Sequence, residues 1–78
     1  EIRDLVNKGN ALMSAGRYKE ALDEYEAVLR IDPENHYGKA NRVLTHNKWA
    51  LSFFRQQKYK EAKQHWDIAH QLNPNDPT

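Results

Sequence analysis

Arg17-Tyr18-Lys19-Glu20-Ala21 recurs forty-one residues later as Lys58-Tyr59-Lys60-Glu61-Ala62, and the likeness continues at that same displacement. Tyr25 is matched by Trp66, Val28 by Ala69, and Ile31-Asp32-Pro33 by Leu72-Asn73-Pro74. One displacement shared by so many chemically similar positions marks a repeated unit, and each unit carries segments of helical periodicity. A helical hairpin of this size cannot bury its apolar face alone, so the two copies must pack on one another. The repeat therefore restricts the chain to an all-α fold of four helices in a single domain over residues 1–78.

The four segments follow from their punctuation. Glu1 to Ala15 carries Ile2, Leu5, Val6, Leu12 and Met13 in helical spacing and stops at Gly16, a good left-handed terminator. Tyr18 to Ile31 sets Tyr18, Ala21, Leu22, Tyr25, Val28 and Leu29 on one face, and Asp32-Pro33 closes it. Asn35 to Gln56 contains no proline and a single glycine, Gly38, so it reads as one long helix. Tyr59 to Leu72 sets Tyr59, Ala62, Trp66 and Ala69 on one face before Asn73-Pro74. The corner at Gln56 to Lys58 has no glycine and should terminate its helix less well than Gly16 does.

Composition removes several classes of function. Twelve Lys and Arg balance eleven Asp and Glu, so no net field gathers nucleic acid or an acidic membrane. With no cysteine, disulfides and thiolate metal sites are excluded, and a reducing, cytoplasmic setting is expected. No apolar run approaches the ~20 residues of a membrane span. The missing initiator methionine fits an excised or processed chain. His65 and His70, five apart, and His36 and His46, ten apart, do not share helical faces in ligand spacing. Neither Ser14 nor Ser52 has evident His and carboxylate partners, and no glycine loop cradles phosphate, so no enzyme and no cofactor are expected.

Gly9, Gly16, Tyr18, Ala21, Tyr25 and Pro33, repeated as Ala50, Tyr59, Ala62, Trp66, Ala69 and Pro74 with Phe53 beside Ala50, resemble the tetratricopeptide repeats over nearly the whole chain. The residue types have a physical sense: Gly9 or Ala50 lets two helices approach, Ala21 or Ala62 lies opposite, and Tyr25 or Trp66 fills the gap beside it. The family period is thirty-four residues, so a displacement of forty-one leaves seven extra. Seven residues add nearly two helical turns and rotate the later positions by only ~20° about the axis. We therefore expect hairpins at 2–35 and 35–76 sharing a lengthened third helix, with Tyr37, Ala40 and Val43 inward on helix two and Trp49, Ala50 and Phe53 on helix four. The alternative is a loop from Glu34 to Asn41 hinged at Gly38, with a helix only from Arg42. On helix four, Lys63 and His70 replace Leu22 and Leu29, which reads as a solvated, capped end despite Ile68 and Leu72.

The resemblance implies protein or peptide binding in a concave groove lined by the first helix of each hairpin. By position that groove carries Arg3, Asn7, Asn10 and Ser14 on helix one and Asn41, Leu44, Lys48, Leu51 and Arg55 on the long helix. Asn and Arg spaced a turn or two apart can hold peptide amides and carboxylates. One subfamily grips a terminal carboxylate through Lys, Asn and Arg. Asn10 and Asn41 are similar to its asparagines, but Val6 stands where its first lysine would be and no third repeat supplies the rest. Leu44, Leu51 and Phe54, with Tyr37, form an apolar stripe suited to a partner helix, a peptide or a second copy of the chain, unless helices one and two cover it. A structural or engineered chain, fused from two repeat proteins along a common helix and without a natural ligand, is the alternative function.

Overall fold

The computed structural model describes residues 1–73 and is all-α: α1 (Ile2–Ser14), α2 (Tyr18–Ile31), α3 (His36–Arg55) and α4 (Tyr59–Leu72). Pro74, the counterpart of Pro33, lies outside the described residues. α1 packs on α2, α3 lies between α2 and α4, and α1 also touches α3. No described helix is long and apolar enough to cross a membrane.

The two corners are built alike. At the first, the Arg17 N–H donates to the Leu12 carbonyl at 2.9 Å and the Gly16 N–H to the Met13 carbonyl at 3.0 Å, with Gly16 at φ 79°. At the second, Lys58 donates to Phe53 and Gln57 to Phe54, each at 2.9 Å, and Gln57 takes φ 63°. Both are Schellman closures, which need a left-handed residue. Gln57 adopts that conformation with a Cβ, at a cost of about 1–2 kcal/mol that glycine avoids.

Packing within the first hairpin depends on one absent methyl group. A Cβ built on Gly9 would lie 2.6 Å from Cε1 of Tyr25, so the phenol ring occupies the space that only glycine leaves free. Tyr25 is fully buried with Ala21 and Met13, and Leu12 and Tyr18 pack around them. In the second hairpin Ala50 replaces Gly9 and carries the methyl group. Trp66 accordingly does not fill the gap as Tyr25 does: it remains 38% exposed, its ring 5.8 Å from that of Phe54. Tyr59 likewise lies outside the core, 56% exposed against the edge of Phe54.

α3 is continuous from His36, so the loop over 34–41 does not form. Asn35 caps the helix, its Oδ1 accepting from the Gly38 N–H at 2.9 Å, a contact worth about 1 kcal/mol. Gly38 is no hinge. It is buried inside the helix, where a Cβ would meet Leu29 Cδ2 at 2.9 Å and Val28 Cγ1 at 3.1 Å. The buried line of α3 starts at this close approach to α2 and continues through Thr45, which meets Met13 of α1, and His46, which meets His65 of α4, to Ala50. That corrects the expected inward stripe: Tyr37 is 62% exposed, Ala40 is exposed, and Val43 is half-buried. At 100° per residue Tyr37 lies about 100° and Ala40 about 160° from Gly38, so both turn away from the contact line that runs through the glycine.

Candidate functional site

Opposite its buried face, α3 presents a narrow stripe to solvent. At 100° per residue, Tyr37, Asn41, Leu44, Lys48, Leu51 and Arg55 fall within about 80° of arc. Leu44 and Leu51 on this stripe are 41% and 39% exposed. Polar residues alternate with the apolar ones along it, and the exposure of Tyr37, Leu44 and Leu51 shows that neither α1 nor α2 covers the apolar positions.

The structure joins Asn10 of α1 to Asn41 of α3. Asn10 Oδ1 accepts from Asn41 Nδ2 at 3.2 Å and also from the buried Tyr25 hydroxyl. Burial alone raises the Tyr25 pKa, which keeps this phenol a donor. Among the described residues, Asn10 Nδ2 and Asn41 Oδ1 have no partner. Each of the two side chains therefore keeps one amide group, a donor on Asn10 and an acceptor on Asn41, for a further hydrogen bond. Asn41 is fixed from behind as well, because Thr45 Oγ1 donates to its carbonyl at 2.6 Å.

Farther along, Lys48, Leu51 and Arg55 line an open cleft of about 370 Å³ with Tyr18, Ser52 and Gln56. Tyr18, Ser52 and Gln56 are the residues that sequence reasoning left out. Tyr18 begins α2 and stacks on Trp49, ring centroids 6.2 Å apart. Because α3 continues beyond Trp49, its last turns overrun the first hairpin, and the cleft is the resulting corner. The forty-one-residue displacement was the available signal for that overrun. Asn7 is exposed on α1. Phe54 is not brought to the cleft: it turns toward α4, where its ring meets Tyr59 at 5.3 Å and Trp66 at 5.8 Å.

The seam between α3 and α4 is aromatic. Trp49 lies 4.1 Å from His65, and Phe53 5.6 Å from it, at interplanar angles of 26° and 16°. His46 and His65 are hydrogen bonded through their Nδ1 atoms at 3.0 Å. Both titrate below the ordinary histidine value. Burial is the main cause for each, and His65 and Arg42 add charge repulsion at His46. No group of three or more His, Asp or Glu converges among the described residues in a way that would hold a metal ion.

The family described as Tetratricopeptide repeat matches the sequence twice, over residues 3–35 and 43–76. No solved structure matches the chain. Two family matches that together cover most of the sequence, on a fold of four helices paired as two hairpins, establish that the chain belongs to the tetratricopeptide repeat family.

Proposed function

We propose that this chain is a non-catalytic protein- or peptide-binding module that works through the face formed by α1 and α3. Members of the family are commonly protein-interaction modules. The observation that carries the reading here is the Asn10–Asn41 bridge, which holds an amide donor and acceptor ready for a peptide unit. Asn7, Asn10, Asn41, Lys48 and Arg55 supply polar contacts, and Leu44 and Leu51 apolar ones. Phe54 belongs to this surface only at its α4 edge.

The seven residues between the two family matches, 36–42, lie inside continuous α3. They support a division into hairpins 2–35 and 35–76 that share this helix. The same offset favours, as a second reading, a chain fused from two repeat proteins along one helix and lacking a natural ligand; two halves that each match a different parent are its expected outcome. A second copy of the chain would use Tyr37 and Leu44, and a concentration-independent monomer mass in sedimentation removes that use.

A nitrogen–proton correlation titration with peptides selected from a random library against the folded chain tests the main reading. Shifts are expected at Asn10, Asn41, Leu44, Lys48 and Leu51. Shifts confined to the outer faces of α2 and α4 would refute it.

A further inference from the structure

Two nitrogen donors face one another in the α3–α4 seam with no acid beside them. His46 Nδ1 and His65 Nδ1 are 3.0 Å apart, and the centroids of their rings 5.3 Å. What remains of the longer distance is the two steps from ring centre to ring nitrogen, so both nitrogens lie on the line that joins the rings. An imidazole nitrogen extends its lone pair outward along that line. The two donor directions therefore oppose one another head-on.

That direction selects among metal ions. Zinc gathers its ligands tetrahedrally, and copper(II) and nickel(II) take square arrays, so each needs neighbouring donors that converge at an angle and further donors to complete the set. No third His, Asp or Glu joins these two among the described residues. A closed-shell ion of single charge, copper(I) or silver(I), is satisfied by two nitrogens in a straight line. Metal–imidazole bonds of about 2 Å on each side set the nitrogens roughly 4 Å apart, so the ion replaces the bridging proton once the seam widens by about 1 Å. The ring that now donates from Nδ1 carries its proton on Nε2 instead, as imidazole tautomers allow.

The surroundings favour the same ion. Trp49 lies 4.1 Å from His65 and 6.3 Å from His46 in stacked arrangement, and Phe53 lies 5.6 Å from His65. These apolar faces exclude the water and oxygen ligands that hard cations retain, and an indole face accommodates a weakly hydrated cation. Neither ring has a carboxylate within ion-pair distance among the described residues. Arg42 repels positive charge at His46, so a divalent ion would meet twice the repulsion with nothing to offset it.

We infer that His46 and His65 form a two-coordinate site for copper(I), which is held in line between their Nδ1 atoms and pins α4 to α3. The site lies on the buried face of α3, opposite the binding stripe, and is independent of the peptide-binding reading.

The test uses the folded chain with silver(I) nitrate in chloride-free buffer as the probe, followed by long-range nitrogen–proton spectra of the imidazole rings. At one equivalent, the Nδ1 resonances of His46 and His65 are expected to move together while those of His36 and His70 stay, and Tm should rise. Zinc(II) and nickel(II) should bind at least about tenfold more weakly than silver(I), and His65→Gln should weaken silver by at least about tenfold. His70→Gln should leave it unchanged. Copper(I), supplied without oxygen, should displace silver from the same two rings. Zinc bound as tightly as silver overturns the linear site, and so does the absence of any histidine shift with silver in excess. Movement of the methyl group of Met13, the one other soft donor of the chain, with both histidines unmoved overturns it too. Silver bound at the pair but not displaced by copper(I) overturns copper as its ion. Ring spectra of the unsubstituted chain give these outcomes whether or not His65→Gln folds.

Discussion

His46 Nδ1 and His65 Nδ1 point at one another across the α3–α4 seam, 3.0 Å apart. Their ring centroids are 5.3 Å apart and their planes 23° from parallel, so the nitrogens lie nearly on the line between the rings. One ring donates and the other accepts, an arrangement that survives one added proton but not two.

Stability should therefore depend on pH in the mildly acidic range. Both histidines have folded pKa values below the ordinary 6.5. The unfolded chain thus binds more protons, and the stabilisation is complete above about pH 6.5 and lost as pH falls through the folded values. The slope is at most about 1.4 kcal/mol per pH unit for each group, and His46, the more buried, contributes more. Urea unfolding across pH 5 to 8 measures it, and His65→Gln should flatten the curve. An unchanged slope in that variant would assign the effect elsewhere.

Gly9→Ala should destabilise by about 1–3 kcal/mol, since the methyl group would enter the ring of fully buried Tyr25. Gly38→Ala meets the end of half-buried Leu29, which can turn away, and also Cγ1 of fully buried Val28 at 3.1 Å, which must yield by a few tenths of an ångström. The gain in helix propensity, about 1 kcal/mol, offsets that adjustment, so the second variant should fall within about 1 kcal/mol of the parent. Thermal unfolding of both separates a forbidden methyl group from a tolerated one.

Gln57→Gly should stabilise by about 1 kcal/mol, because it relieves a left-handed side chain at φ 63°. For a chain of this size that is a rise of roughly 4–8 °C in Tm. Gly16→Ala at the equivalent corner should move Tm in the opposite direction. No change in either variant would show that neither corner holds its left-handed residue in solution.

Tyr25→Phe deletes one of the two donors to Asn10 Oδ1 and should cost about 0.5–1.5 kcal/mol. Combined with Asn41→Ala it should cost more than the separate losses, since the half-buried acceptor is then left without a protein donor. A double-mutant cycle with zero coupling would remove the three-residue network.

The helices and their corners were legible because Gly16, Pro33 and the forty-one-residue displacement are local signals with local consequences. α3 was legible as a helix but not in rotation. Added turns give it several apolar stripes, and Tyr37, Ala40 and Val43 looked as suitable as the stripe that is used. The choice falls to Gly38, where a hydrogen atom permits contact with Val28 and Leu29. Only the alternative sequence reading, a loop from Glu34 to Asn41, takes the same residue for a hinge. Trp66 was misplaced for a related reason: its match to Tyr25 is chemical, while the room for a ring is decided by the partner residue, Gly9 or Ala50. The His46–His65 bond joins two helices at positions nineteen apart, which no periodicity within one helix reveals. Of the candidate site, Asn10 with Asn41 and Lys48 with Arg55 were named from the resemblance to the family, whose groove is lined by the first helix of each hairpin, whereas Tyr18 entered only through the overrun of α3.

A repeat array ordinarily resembles a stack of coins, held by neighbour contacts that can be lost singly from either end. Here the contact between neighbours is also a stretch of unbroken helical backbone from His36 to Arg55. Peeling α4 away strips Trp49 and Phe53 of their cover, and peeling α1 and α2 away exposes Gly38 and Thr45 on that same rod. Partial unzipping therefore leaves a long, unshielded rod in either direction, and the chain should melt as one cooperative unit with no half-folded plateau.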